Sequence, residues 1–463
     1  MTCSIDRVPP EVLCEIFGWC IESYQAISPD NAPLLLLGVC KHWREVALAH
    51  SHLWTNFSIA VSESELLPSM PLIQQWLQSA GLNDLFISIK VDGGDPFSYH
   101  ALYCARPVLE YLDYSQSISR WKKAVLILPA AESYLNGLFT HSLPLRLESL
   151  YVDLNGWDIE GIKHFSTFLS TIPRLRELEW TDGDHWGISP TPTASYLLGT
   201  NIPWGNLTRL VLNIYTSLST TYQILSQCFK LETLELVRFA HGGITRELLA
   251  DFKPISLHCL QSMVLRQQCL DKGLGSFLDL LIVPGLKSIQ INARTGVDEW
   301  PNGQFLSFLK RSAAKLECLC LEYVGISETE LLQCLERNSS TLTTLEVRSM
   351  RGEVCISDMA LARLTAPARS GKETEESESK ENEALCPRLR KVVVSRCIAC
   401  SNGALARMLR SRGLGSRPDC EIGCARMEMV EVRFAMRGQQ NPEDVLFLKG
   451  IETTDGQDAV CDF

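Results

Sequence analysis

The sequence predicts an α/β protein, in which a small all-α N-terminal part precedes a curved solenoid with a parallel sheet on its concave side. Two observations predict the solenoid: a short apolar phrase recurs at similar spacings, and the segments between its copies have helical periodicity. Apolar stripes at spacings of three and four residues predict the helical part. The composition, 46% hydrophobic and 21% charged, is typical of a globular chain rather than a disordered one.

The first helix is predicted to begin near Pro9. A proline suits the first helical turn because the N–H groups there have no partner within the helix. Glu11 favours the same end, where the helix dipole is positive. The apolar positions that follow form one stripe, made of Val12, Leu13, Ile16, Phe17 and Cys20.

A second helix is predicted after Ala32-Pro33. Its apolar stripe contains Leu35, Val39, Trp43, Val46 and Ala47, and Leu53-Trp54 follows it. A unit of roughly 55 residues buries too little surface to be stable alone, so part of its apolar face is a candidate partner surface. The alternative is an ordinary helical cap on the following domain.

Further along the chain, an apolar anchor is repeatedly followed by apolar residues three and five positions later. Successive anchors from Leu147 to Leu342 lie 24 to 32 residues apart, the length of a leucine-rich repeat. The clear copies begin at Leu147, Leu175, Leu207, Leu231, Leu260, Leu286, Leu316, Leu342 and Leu389. Weaker candidates are Leu82-x-x-Leu85-x-Ile87, Val125-x-Ile127 and Met427-x-x-Val430-x-Val432.

The segments between these copies are predicted to be helices. One apolar stripe runs from Ile162 to Ile172, and Ser327-x-x-Glu330 is a capping box that opens another helix. Each repeat is therefore predicted to contain a strand and then a helix. Such units stack into a solenoid because none of them buries its apolar face alone.

These patterns divide the chain into a helical domain at residues 1–60, a linker and helix at 61–81, and repeats at 82–463. Two segments interrupt the repeats. The acidic insertion 369–384 contains a charged run and is predicted to be disordered; phosphorylation at its Thr374, Ser377 or Ser379 is the alternative to a plain flexible insertion. The loop from Thr181 to Gly205 is predicted either to line a binding face or to pack locally.

The N-terminal motifs resemble an F-box. Val8-Pro9 opens the first helix, Cys40-x-x-Trp43-Arg44 lies further on, and Leu53-Trp54 ends the motif. The stretch Glu22–Asn31 is longer than in the compact motif and resembles the extensions of fungal F-box proteins. In the repeat at Leu389, Cys397 occupies the position where cysteine-containing leucine-rich repeats have Asn or Cys. The whole chain thus resembles an F-box/leucine-rich-repeat protein.

The resemblance implies a non-catalytic substrate-recognition adaptor of an SCF-type cullin ubiquitin ligase. The helical domain would dock a Skp-family linker, and the repeats would bind a target protein. The residues expected to contact the linker are Pro9, Leu13, Ile16, Phe17, Val39, Cys40, Trp43 and Trp54. A ligase-independent repeat scaffold is the first alternative, and an enzyme with an unrecognised site in the repeat concavity is the second.

The target is expected to bind the concave face of the repeats. Side chains alternate along a strand, so the residues between the inward anchors point toward that face. The predicted target-binding residues are Tyr151, Asp153, Glu177, Glu179, Arg209, Glu235, Arg266 and Arg348. The early part of this set is mainly acidic and favours a target segment with basic residues; a solvated face without a partner is the alternative.

Several site classes are disfavoured by the sequence. It contains no GxSxG, GxxxxGK(S/T), HExxH or GxGxxG motif, so no catalytic residue and no cofactor are predicted. Four thiols have spacing loosely compatible with zinc, namely Cys397, Cys400, Cys420 and Cys424. No metal site is predicted from them, because the repeat phrase accounts for Cys397 and the spacing of the second pair is irregular.

Charge and hydropathy predict the cellular context. The net charge of −11 disfavours nucleic-acid binding, and no apolar run reaches the roughly 20 residues of a membrane span. Eighteen cysteines scattered through apolar segments fit reduced thiols better than a disulfide framework. The predicted location is therefore the cytoplasm or the nucleus.

Overall fold

We describe the fold from a computed structural model. The described residues are 8–22, 24, 26–61, 67–91, 99–128, 139–154, 157, 159–181, 198, 201–240, 252–267, 273–293, 300–350, 352–367, 384–414, 424–434, 441–452 and 459–460. The chain divides into two compact units, unit 1 at Met1–Thr216 and unit 2 at Ser217–Phe463. Both units are α/β and contain parallel strands.

Unit 1 opens with three helices, α1 (Pro10–Trp19), α2 (Leu34–Val39) and α3 (Lys41–Ala49). The predicted start of the first helix is confirmed to within one residue. The second predicted helix is instead broken in two, because the backbone of Cys40 is extended, with φ −159° and ψ 171°. The Cys40 Sγ accepts a hydrogen bond from the Trp43 N–H at 3.4 Å and thereby caps α3.

Among the described residues, the sheet of unit 1 contains six parallel strands in chain order. They are β1 (Asn56–Val61), β2 (Leu85–Val91), β3 (Trp121–Ile127), β4 (Ser149–Asp153), β5 (Glu177–Thr181) and β6 (Arg209–Ser217). The helices between them are α4 (Met70–Ser79), α5 (Tyr99–Tyr114) and α6 (Ile159–Ser170). Because β1 begins at Asn56, inside the predicted helical domain 1–60, the sheet begins upstream of the predicted repeat boundary at residue 82.

Unit 2 continues the alternation of strand and helix. Its main sheet is formed by β7 (Thr233–Ala240), β9 (Ser262–Gln267), β11 (Ser288–Ala293), β12 (Cys318–Glu322), β13 (Thr344–Arg348), β14 (Lys391–Ser395), β15 (Met429–Arg433) and β16 (Ala459–Val460). A separate parallel pair consists of β8 (Ile255–Ser256) and β10 (Leu281–Ile282). The helices are α7 (Leu218–Leu225), α8 (Gly273–Asp279), α9 (Asn302–Ser312), α10 (Glu328–Arg337), α11 (Asp358–Leu364), α12 (Ala404–Ser411) and α13 (Pro442–Glu452).

Local sequence signals explain where several helices begin and end. The capping box predicted at Ser327 and Glu330 is confirmed at the start of α10, with each residue's side chain accepting a hydrogen bond from the other's backbone N–H. The helix predicted before Gly81 is present as α4, and Gly81 has a φ of +60°, which glycine adopts without strain.

Paired strands align the repeat phrase into buried rows. In unit 1, Leu150 is in register with Leu178, and Leu178 with Leu210. In unit 2, one continuous row is formed by Met263, Ile289, Leu319, Leu345, Val392 and Val430. All nine clear anchors and Met427 are buried, as the sequence predicts. Ring contacts extend the core to the helices: Phe165 of α6 lies 5.8 Å from Trp180.

The two other weak repeats differ from their prediction. Leu82, the expected first anchor, is 86% exposed, whereas Leu85 and Ile87 of the same candidate are buried as predicted. In β3, Ala124 and Leu126 are buried, as is the first residue, Trp121, whereas Val125 and Ile127 lie on the face opposite Ala124 and Leu126 and are half-buried. Because β3 has apolar residues on both faces, its alternation alone does not identify the inward face.

Trp54 connects the N-terminal helices to the rest of unit 1. Its Nε1 donates a hydrogen bond to Ala47 O at 2.8 Å, and its own carbonyl accepts one from Trp76 Nε1 at 2.7 Å. The Trp54 and Trp76 rings meet edge to face at 5.2 Å, and Phe57 of β1 lies 6.0 Å from Trp76. The helices therefore share one core with α4 and β1.

Two predicted interruptions lie largely outside the described residues. The acidic insertion 369–384 does so except for Ala384, and the loop between Thr181 and Gly205 does so over residues 182–197 and 199–200. Within the segments that the structure describes, no helix has both the length and the hydrophobicity needed to cross a bilayer.

A buried guanidinium in unit 2 provides a test of the fold. Arg412, which follows α12, is fully buried and donates hydrogen bonds to the carbonyls of Leu364, Leu385 and Cys386. Burial lowers the pKa of this guanidinium. We expect Arg412→Met to reduce the free energy of unfolding by about 3 kcal/mol, because the three carbonyls lose their donor. Urea unfolding followed by circular dichroism measures this loss.

Arg407→Met in the exposed part of α12 is the matched control, with an expected change within about 0.5 kcal/mol. Equal effects of the two substitutions would contradict a bonding role for Arg412.

Candidate partner-binding surfaces

The N-terminal helices expose large apolar side chains. The exposed fraction is 40% for Ile16, 54% for Val39 and 83% for Trp19. Helix α3 packs against both α1 and α2. We call the exposed set the apolar helix surface, and it consists of Val12, Ile16, Trp19, Leu35, Val39 and Leu48. An apolar set of this kind on neighbouring helices is typical of a partner-binding surface.

The structure separates the eight predicted linker-contacting residues into three groups. Pro9, Ile16 and Val39 are exposed, and Cys40 and Trp43 are half-buried. The fully buried residues are Leu13, Phe17 and Trp54.

The buried residues pack beneath the apolar helix surface. The Phe17 ring lies 4.9 Å from that of Trp43, which holds α1 against α3. Sequence reasoning missed Val12, Trp19, Leu35 and Leu48 as surface residues. The position of Trp19 could have been predicted from the sequence, because Val12, Ile16 and Trp19 follow one another at spacings of four and three residues on a helix.

The second candidate surface is the sheet face of unit 1 that carries the half-buried residues. A cavity of about 390 Å³ opens there, which we call the unit 1 cavity. It is lined by Tyr24, Lys90, Lys123, Val125, Ile127, Ser149, Leu150, Tyr151, Glu177, Leu178, Glu179 and Arg209. Its size is within the range of sites that bind small molecules or a few peptide side chains.

The unit 1 cavity brings together four of the predicted target-binding residues: Tyr151, Glu177, Glu179 and Arg209. Asp153 lies two positions after Tyr151 on β4 and is not part of the lining. Burial raises the pKa of the Tyr151 phenol, against the effect of its hydrogen bond to Thr181, so the phenol stays neutral near pH 7.

The charges of the unit 1 cavity are mixed rather than acidic. Arg209 Nη2 lies 3.4 Å from Glu179 Oε2, and Ser149 Oγ donates a hydrogen bond to Glu177 Oε2 at 2.8 Å. Lys90 and Lys123 add two further cations that the sequence analysis did not assign to this face. The excess of acidic residues predicted for these repeats is therefore balanced by cations within the cavity.

The remaining predicted target-binding residues lie on unit 2, where they form ion pairs. Arg266 Nε is 3.1 Å from Glu235 Oε1. Arg348 lies between Glu322 and Glu346, at 3.5 and 3.6 Å from their carboxylate oxygens. These ion pairs hold the side chains in place. Because the opposite charges compensate one another, they attract a charged partner less strongly.

A cluster in unit 2 has ligand types suitable for a metal. Among the described residues, Cys320, Glu322 and Glu346 are close enough to share an ion. Lys391 lies 2.6 Å from Glu346, and Arg348 pairs with both acids. Burial and the two carboxylates raise the pKa of Cys320, which keeps its sulfur protonated and a poor ligand. The cluster is better described as an ion-pair network.

Three of the four thiols with zinc-like spacing are among the described residues, and two of these have other partners. Cys397 Sγ donates to Val347 O at 3.4 Å, and Cys400 Sγ lies 3.5 Å from Asn441 Nδ2. Cys424 is half-buried, and Cys420 lies outside the described residues.

Comparison of the chain with protein-family models and with curated proteins returns no match.

Neighbouring residues of α1 test the division between surface and core. We expect Phe17→Ala to reduce the free energy of unfolding by about 4 kcal/mol, because it leaves a cavity beside Trp43. Ile16→Ala should cost less than about 1 kcal/mol, because Ile16 already contacts solvent. Urea unfolding of the full chain measures both. A loss for Ile16→Ala as large as that for Phe17→Ala would contradict the assignment of Ile16 to the surface.

The buried thiols make a prediction about reactivity. Burial raises the pKa of Cys228, Cys334 and Cys386 to about 12 in each case, so at pH 8 on the order of one in ten thousand of each is thiolate. Iodoacetamide should therefore label exposed Cys20 and Cys259 in the native chain and leave these three unlabelled. Peptide mass spectrometry measures the labelling, with urea-unfolded chain as the control. Equal native labelling of Cys334 and Cys20 would contradict the burial.

Proposed function

We propose that this chain is a substrate-recognition adaptor of an SCF-type cullin ubiquitin ligase. In this proposal the N-terminal helices are an F-box that docks a Skp-family linker, and the repeats are a curved leucine-rich-repeat solenoid that binds a target protein. The chain itself is not a catalyst. It acts in the cytoplasm or the nucleus, where free thiols such as Cys228 and Cys334 remain reduced.

The observation that carries the proposal is the exposure of the apolar helix surface. Trp19, Val39 and Ile16 lie on helices whose other faces are packed, so their exposure is not due to poor folding of the helices. Leaving such side chains in water is unfavourable, and covering them by a partner releases about 25 cal/mol per Å² of apolar area. The F-box-like order of motifs on the same helices supports a Skp-family linker as that partner.

The sheet faces support the target-binding half of the proposal. The half-buried residues of the strands come from successive repeats and form one surface in each unit, which suits recognition of a protein segment. The unit 1 cavity is the concave site on this surface in unit 1.

Removal of apolar contacts tests linker docking. We expect the double substitution Ile16→Asp and Val39→Asp to abolish co-purification of a Skp-family linker and a cullin with the full chain, because two carboxylates would be desolvated in the interface. Quantitative mass spectrometry of the purified complex measures both partners. Circular dichroism should show an unchanged helix content, because both residues are exposed.

Leu82→Asp is the matched control, because Leu82 is an exposed leucine outside the three helices. It should leave linker and cullin recovery unchanged. Recovery of the linker with the double variant would overturn the docking proposal. A wild-type complex that contains the linker but no cullin would instead favour the ligase-independent scaffold.

A further inference from the structure

The connection between α1 and α2 is attached to the edge of the sheet of unit 1. Ala26 forms a parallel bridge with Ser58 of β1, and the Ile27 N–H donates to the Ser58 carbonyl at 3.3 Å. The Tyr24 N–H donates to Asn56 Oδ1 at 2.9 Å, and the Ile27 side chain is buried. The extension that departs from the compact F-box pattern therefore adds backbone to the edge of β1.

This attachment places Tyr24 in the unit 1 cavity. Tyr24 has a φ of 59°, a left-handed conformation that is uncommon for a tyrosine and is held here by the contacts on either side. Its hydroxyl is buried and has no hydrogen-bond partner among the described residues. A buried hydroxyl without a partner is energetically costly. A ligand that supplies an acceptor would form a hydrogen bond with this hydroxyl without displacing an existing one.

Two cations of the cavity also lack partners. Lys90 and Lys123 are exposed, and neither forms an ion pair with any residue that the structure describes. Lys90 is in register with Ile127, and Lys123 with Phe86, so the two lysines are separated by about 13 Å along the strand direction. They lie toward opposite ends of the cavity and can contact one extended segment at two points.

The two acids of the cavity are already engaged. Glu179 is paired with Arg209, and Glu177 accepts the hydrogen bond from Ser149. Both lie on β5, two strands away from Lys123, at a distance of about 10 Å across the sheet. The hydrogen bond from Ser149 leaves Glu177 charged, but Lys90 and Lys123 outnumber this single unpaired carboxylate. The net charge of the lining is therefore positive, and its two unpaired cations lie on β2 and β3.

We propose that the unit 1 cavity binds an acidic segment of the target protein, with Asp or Glu carboxylates at Lys90 and Lys123 and an acceptor at the Tyr24 hydroxyl. The inference deepens the target-binding half of the proposed function and rests on it. It reverses the sign of the charge expected from the sequence, because the two lysines come from strands outside the clear repeats. It also assigns a recognition role to the α1–α2 connection.

A peptide array tests the proposal directly. Purified full-length chain is applied to ten-residue peptides with Asp or Glu at two positions four residues apart, which match the lysine spacing and share one side of an extended segment. Matched peptides carry Gln or Lys at those positions. The acidic peptides should be retained. The best acidic peptide is then titrated by fluorescence polarisation at two salt concentrations, and its affinity should fall as the salt concentration rises.

Three variants separate recognition from folding. Lys90→Ala with Lys123→Ala should weaken binding of that peptide by at least about tenfold, and Tyr24→Phe should weaken it by about threefold to tenfold. Lys122→Ala is the matched control on the same strand, because Lys122 is not part of the cavity lining, and it should change affinity by less than about twofold. Melting temperatures should remain at the wild-type value for all three.

The proposal is overturned by any of four results: no peptide is retained, the Lys peptides are preferred, binding requires phosphorylated peptides, or the double lysine variant binds as tightly as wild type. These outcomes are independent of linker docking. Co-purification of the linker with the Lys90→Ala, Lys123→Ala chain reports separately on the proposed ligase role.

Discussion

Side chains alternate between the two faces of a strand, and parallel pairing in register extends that alternation into rows across a sheet. In unit 2 the row that contains Leu319, Leu345 and Val392 is buried, while its neighbour containing Cys320 and Glu346 faces the other way. A shift of one residue in β13 would bury Glu346 and expose Leu345. This cost fixes the register, and the register in turn decides which charged side chains meet.

The same constraint produces different electrostatics in the two units. In unit 2 it places Arg348 between Glu322 and Glu346, and Lys391 against Glu346, so the charges compensate one another. In unit 1 it leaves Lys90 and Lys123 without an ion-pair partner among the described residues. Charges that are already paired must lose their partners before they bind a ligand, whereas unpaired lysines lose only water. Recognition is therefore more favourable at the unit 1 cavity than on the ion-paired face.

Much of the fold could be predicted because buried anchors such as Leu178 and Leu319 dominate the pattern, and the capping box at Ser327 is a local signal. Three features could not. Strand β3 is apolar on both faces, so its inward side was assigned incorrectly and Lys123 was missed. The break at Cys40 follows from a backbone conformation that interrupts a continuous apolar stripe. Tyr24 reaches the cavity because its N–H binds Asn56 and the nearby Ala26 pairs with Ser58, and both partners on β1 are far from it in sequence.

The two candidate surfaces of unit 1 share structural support. The connection that carries Tyr24 joins α1 to α2, and both helices contribute to the apolar helix surface. It is attached to the edge of β1. The Trp54 and Trp76 contacts hold β1 to α3, and α3 packs against both of these helices. A ligand in the cavity would thus contact a segment whose ends are fixed by the helices and whose middle is fixed by the sheet. Both surfaces depend on this single core, so loss of Trp54 packing would affect the helices and the cavity together, whereas surface substitutions affect each one separately.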